Sequence, residues 1–195
     1  MLFRSHLDLS NFDTSKVTNM HQMFYNCPQL TTLNLSGFDT SNVTTMYSMF
    51  YNCQSLTTLD LTGFDTSKVP NLYDMFNNCR KLSNIPKLNA SNVTNVNGVV
   101  YECRSLKDFG GLENLGQAYL TTQSANYSSY KLDLSQCRQL TEQSLINVLT
   151  NLYDIKTKGC KAQQVVLGST NLAKLVSAEG QQALASSTEK GWSIS

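Results

Sequence analysis

Six cysteines, two histidines and a column of aspartates are the side chains of this chain that could attack a bond, hold a metal or close disulfides. Cys27, Cys53, Cys79 and Cys103 recur about once every 26 residues. In an extracellular chain six cysteines invite a disulfide framework. Their even spacing favours a ladder of reduced thiols filling one column of a core, since free cysteine packs as a small hydrophobe. Stacked pairs would also lie within disulfide range. Cys137 suits the same role in its own segment, which leaves Cys160, in a loop-like stretch, as the candidate reactive thiol. A Cys/His nucleophile pair has little to draw on, because His21 shares a variable outer position with Tyr47, Tyr73 and Asn97. Zinc needs cysteine and histidine at short spacing, and these cysteines lie whole repeats apart. Asp13, Asp39 and Asp65 read as turn and helix-start hydrogen bonders, with a calcium ladder as the lesser alternative. The chain is therefore expected to be no enzyme and to carry no cofactor and no metal.

Tyrosines offer binding rather than chemistry. Tyr25 and Tyr51 form one column, and Tyr47 and Tyr73 another, both at the edge of the apolar stripe of each repeat. They either half-bury to seal the row or form an aromatic strip, in which tyrosine supplies contact area at low entropic cost. Tyr25, Tyr47, Tyr51 and Tyr73 are the candidate ligand-binding residues. The outward strand positions Asp8, Asn34 and Asp60 offer a shallower, mildly acidic face.

The elements that must position these side chains are copies of one segment. LNLSGFDTSNVTTMYSMFYNCQSLTT begins at Leu33, with similar copies beginning at Leu7 and Leu59. A period of this size is the signature of stacked repeats. Leu33-Asn34-Leu35 alternates as a strand does. Gly37 to Ser41 reads as a turn with capping residues. Val43, Met46, Met49, Phe50 and Cys53 then share an arc of about 120° at helical spacing, which predicts a core-facing helix with Thr44, Ser48 and Asn52 turned away. One copy cannot bury enough to fold alone, so copies must stack.

A fourth copy, about 84–107, keeps Ile85, Leu88, Val93, Val96, Val99, Val100 and Cys103 but loses two residues near Pro86. Beyond it the pattern thins. A strand near Phe109, a short helix within 112–119, a polar loop over 121–129, a strand at 131–135, a helix over 144–153, a strand at 164–167, a helix over 177–189 capped by Gly191 and a last strand at 192–194 are expected. Strand starts near 7, 33, 59, 84, 109, 132, 164 and 192 imply about eight rungs and, at roughly 4.8 Å each, a sheet of about 40 Å. The expected fold is α/β: one leucine-rich-repeat solenoid over 1–195, with a parallel sheet on one face and short helices on the other. Residues 1–106 are its regular repeats, and 107–195 its irregular repeats and C-terminal cap.

Composition narrows the partners. Fifteen basic against fourteen acidic residues leave a net charge of +1, and no charge run suggests nucleic acid or an anionic membrane. No apolar run is long enough to insert in a bilayer. The first residues lack a signal peptide's apolar core, and the first copy opens without its full length. The chain thus reads as a piece of a longer protein whose signal and anchor lie outside it, with self-association through an open N-terminal rung as one consequence.

The LDLSxFDTSxVTxMxxMFxxCxxLTxL pattern of residues 7–59 is similar to the BspA-like leucine-rich repeats of bacterial surface proteins, and the likeness extends to about Leu106. The tail LGSTNLAKL at 167–175, with Lys190-Gly191-Trp192, resembles the C-terminal caps of gut-bacterial members. The resemblance implies a secreted or cell-surface adhesion module, binding a host or matrix protein or a glycan, with no catalytic residues to carry over. The alternative is a structural spacer that displays another domain of a surface or phage-tail protein.

Overall fold

The computed structural model describes residues 5–120, 131–157 and 163–195. Strands are short. β1 (His6–Asp8), β2 (Thr32–Asn34), β3 (Asn84–Ile85), β4 (Leu88–Asn89), β5 (Asp108–Phe109) and β6 (Leu112–Glu113) precede a single 3-10 turn at Gln117–Leu120. β7 (Lys131–Asp133), α1 (Glu142–Thr150), β8 (Gln163–Val166), α2 (Gly168–Leu172), α3 (Ala178–Glu189) and β9 (Trp192–Ile194) follow.

Successive copies meet in parallel register. His6, Leu7 and Asp8 pair with Thr32, Leu33 and Asn34, one repeat further on. The expected leucine-rich-repeat solenoid of about eight rungs is nevertheless wrong. Among the described residues the strands fall into four separate pieces, β1–β2, β3–β5, β4–β6 and β7–β8–β9, instead of one sheet of about 40 Å. Where the strand of the third copy would begin, a lone bridge joins Thr58 to Thr32. Pro86, in the copy beyond, has no N–H to give a ladder, and the shortened fourth copy splits its extended backbone into β3 and β4.

The helices expected in the regular repeats are also absent; among the described residues every α-helix lies beyond residue 141. Residues 47–52 form linked turns. Met49, Tyr51 and Cys53 donate their amides three residues back, to Met46, Ser48 and Phe50. The alternate amides leave the segment, with Ser48, Phe50 and Asn52 donating at 2.8–2.9 Å to Tyr73, Met75 and Asn77 of the next copy. An α-helix would need those donors for itself. Ser48 and Asn52 adopt φ of 54° and 61°, the positive value required at the third position of a type II turn. Val43, Met46, Met49, Phe50 and Cys53 are still buried, because turns closed every three residues return to the same side nearly as a helix does. Ser48, assigned to the outside, is buried as well.

Side chains stitch the copies together. Phe24, Phe50 and Phe76 stack with centroids 5.6 and 5.5 Å apart and planes within 7°. The buried Thr40 hydroxyl accepts from the Asp65 amide at 2.7 Å and donates to the Asp65 carbonyl at 3.3 Å, as Thr14 does with Asp39. Asn52 donates through Nδ2 to Asn26, and Asn78 in turn to Asn52, a ladder of the kind stacked asparagines form.

The last part of the chain obeys more ordinary rules. Thr141 caps α1 through Ser144 N, and Ser177 caps α3 through Gly180 N. Gly191, at φ 96°, takes the left-handed place after α3. The Lys190 ammonium donates to the carbonyls of Thr150 and Leu152 at the C-terminal end of α1, and Trp192 Nε1 donates to Tyr153 O at 2.9 Å. One cluster of buried apolar side chains runs from Met20 to Trp192.

Candidate binding surface

The cysteines are packing groups. Cys53, Cys79, Cys103 and Cys137 are free and buried, and each thiol donates to a carbonyl of the preceding copy: Phe24, Phe50, Phe76 and Val100, at 3.0–3.3 Å. Burial away from water pushes the Cys53 and Cys137 thiols up to about 12 and raises Cys79 and Cys103 too. Thiols held protonated in this way are poor nucleophiles. Cys27, half-buried, is shifted upward by the same cause. Cys160 lies outside the described residues.

The aspartates are turn residues, and the helix starts assigned to them do not exist. Asp13, Asp39 and Asp65 each accept the amide of the serine two residues on, at 2.8–3.0 Å. Serine hydroxyls and amides lower the pKa of all three. Among the described residues no group of three or more His, Cys, Asp or Glu could hold a metal. His21 lies within 2.6 Å of Asn19 Oδ1 and stacks on Tyr47.

Three of the four candidate tyrosines lie in two separate ring pairs. Tyr25 and Tyr51 stack at 4.8 Å and 9°, as their shared column implies. Tyr47 pairs with His21 at 4.8 Å and 19° in place of the expected Tyr73. Tyr25 and Tyr73 are exposed, while Tyr47 and Tyr51 are half-buried. The neighbouring Asp74 carboxylate raises the Tyr73 pKa. Asn71 accepts the Tyr73 amide at 2.9 Å and holds its turn.

Sequence reasoning missed Tyr101. It holds the position of Tyr25 and Tyr51, a signal hidden by Asn77 in the copy between. Tyr101 is exposed and borders a cavity of about 360 Å³ with Asn97, Gly98, Lys131, Asp133 and Gln164.

The strand face is deeper than its polar sequence suggests. A groove of about 730 Å³ runs across the first four copies, floored in part by Asp8, Thr32, Asn34, Thr58, Asp60 and Asn84. Asp8 and Asp60 each accept a nearby amide at 3.0 Å, from Ser10 and Thr62, which lowers both carboxyls. No helix among the described residues is long and apolar enough to cross a membrane.

In-register copies, buried thiols and paired outer rings define a tandem-repeat protein whose copies are tied together by backbone and side-chain hydrogen bonds. The chain belongs to the family described as Mycoplasma protein of unknown function, DUF285, whose model matches residues 2–110, more than half its length. No curated protein and no solved structure matches it.

Proposed function

We propose that this protein is a non-enzymatic recognition module of a bacterial surface or secreted protein, the role implied by its similarity to BspA-like repeats. It binds a host or matrix protein, or a glycan, through the edge formed by Tyr25, Tyr47, Tyr51 and Tyr73, with Tyr101 added. The observation that carries this reading is the two ring pairs, Tyr25 on Tyr51 and Tyr47 on His21, with Tyr73 and Tyr101 exposed in the copies beyond, on a backbone tied by bonds between copies. Rigid aromatic side chains lose little entropy on binding. Their flat faces pack equally on apolar protein groups and on the C–H faces of sugars.

Serine at Tyr25, Tyr47, Tyr51 and Tyr73 together tests the proposal in an assay of adhesion to cells or immobilised matrix, with circular dichroism as a check on folding. Adhesion should fall at least tenfold while the fold persists. Undiminished adhesion in the folded variant moves the site to the strand groove, which Asn34→Arg and Thr58→Arg would then block. A parent protein that adheres to nothing supports the spacer reading.

A further inference from the structure

Three of the chain's four arginines hold one repeat position, directly after a ladder cysteine: Arg80, Arg104 and Arg138. The first two copies place Pro28 and Gln54 there. With a net charge of only +1, the chain is not basic in general, so this concentration is local. The thiol ladder sets its geometry. Cys79, Cys103 and Cys137 each bond to the preceding copy, so the residues that follow them lie on one side of neighbouring copies, about 4.8 Å apart if spaced as parallel strands are.

All three arginines are exposed. Arg80 Nε donates to Asn78 Oδ1 at 2.7 Å. Arg104 Nη2 lies 2.6 Å from Glu102 Oε2, an ion-pair contact outside hydrogen-bond alignment. A guanidinium carries five N–H donors in a fixed fork, so one such contact steadies it without exhausting it. Arg104 and Arg138 line a cavity of about 370 Å³ together with Gln136 and Gln139, so its lining among the described residues carries no carboxylate. The Lys174 ammonium donates to the carbonyls of Arg138 and Leu140 at 2.7 and 2.8 Å, adding fixed positive charge beside Arg138.

We propose that the Arg80, Arg104 and Arg138 column binds a sulfated polysaccharide. Arginine forks match the oxygens of tetrahedral anions. An open column with one guanidinium per copy suits a linear chain bearing repeated sulfates better than one small ion. The amides of Gln136 and Gln139 can both donate to and accept from sugar hydroxyls. A single-stranded nucleic acid would call for aromatic platforms between the basic groups, and none of the described lining residues is aromatic. The site uses other residues than the tyrosine edge and does not rest on it.

Heparin is the probe, measured by calorimetry and by salt elution from a heparin column. The parent should bind with an affinity that falls as salt rises. Arg104→Ala with Arg138→Ala should weaken binding at least tenfold and flatten the salt dependence. Glu102→Gln removes the carboxylate that competes for Arg104 and should tighten binding at least twofold, a gain that a folding defect cannot produce. Lys68→Ala, an exposed base at another repeat position, should change nothing. The proposal is overturned if the parent does not bind heparin, if the double variant binds as the parent does, if Glu102→Gln binds no tighter, if single-stranded DNA binds more tightly than heparin, or if inorganic sulfate competes at the same sulfate concentration.

Discussion

Met23 and Met49 occupy the same position in consecutive copies of nearly the same sequence, yet Met23 is 43% exposed and Met49 is wholly buried. Phe12 and Phe38 repeat the contrast, at 57% and 7%. Leu7, Leu9, Val17 and Cys27 are half-buried, whereas Leu33, Leu35, Val43 and Cys53 are buried. The second copy has a described copy against each side and the first against one. Burial in this fold is thus a property of the neighbour: the repeat supplies apolar side chains, and the adjoining copy takes them out of water.

Equivalent substitutions in the two copies put that contrast to the test. The largest effect is expected at Phe38, whose buried ring stacks on Phe64 with centroids 6.4 Å apart. Phe38→Ala should destabilise by about 3–5 kcal/mol, and the equivalent Phe12→Ala by about 0.5 kcal/mol or less. Urea melts that make the two alike would refute the dependence on neighbours. Met49→Ala should cost about 2–5 kcal/mol, with Met23→Ala again near 0.5 kcal/mol; a Met23 cost as large as that of Met49 would mean that the first copy is covered in solution.

A smaller effect separates turn from helix. Asn52 sits at φ 61° and bonds to Asn26, Gln54 and Asn78. Asn52→Ala should cost about 1–2 kcal/mol, because alanine lacks the short polar side chain that lets asparagine adopt this left-handed conformation, plus its share of the ladder. Asn52→Gly should cost less. A helix would reverse that order, because glycine is the poorer helix former, so calorimetric melting of the two variants decides the matter.

The thiols give no stability effect at neutral pH, only one that develops in alkali. Cys53 and Cys137 are pushed up to about 12 in the folded protein, while an unfolded cysteine titrates near 8.5. Above that value the unfolded chain loses protons that the folded chain keeps. Stability should therefore hold below about pH 8.5 and decline as pH rises toward 12. Replacing both by alanine should remove that part of the alkaline slope, and an unchanged slope would place its origin elsewhere. At pH 8 a thiol reagent should modify Cys27 well before Cys53, Cys79, Cys103 and Cys137, and equal rates would contradict the shielding.

The strands of the first two copies, the burial of the apolar positions, the cysteine column and the C-terminal helices with their caps were all readable from residue type and spacing. So was the Tyr25 and Tyr51 stack. The pairing of Tyr47 with His21, the part played by Tyr101 and the depth of the strand groove were not, since each depends on how neighbouring copies lie against one another. The misread helix shows why most plainly. Apolar spacing reports which side chains return to one side of the chain, and turns closed at three residues return them much as a helix does. Whether the Phe50 amide donates within its own segment or to Met75 one copy away leaves no mark on that spacing. Repetition, register and the apolar face were settled by the sequence alone; the choice of turns over helices and the breaking of the sheet were decided only in the tertiary structure, where a neighbouring carbonyl is within reach and Pro86 has no hydrogen to give.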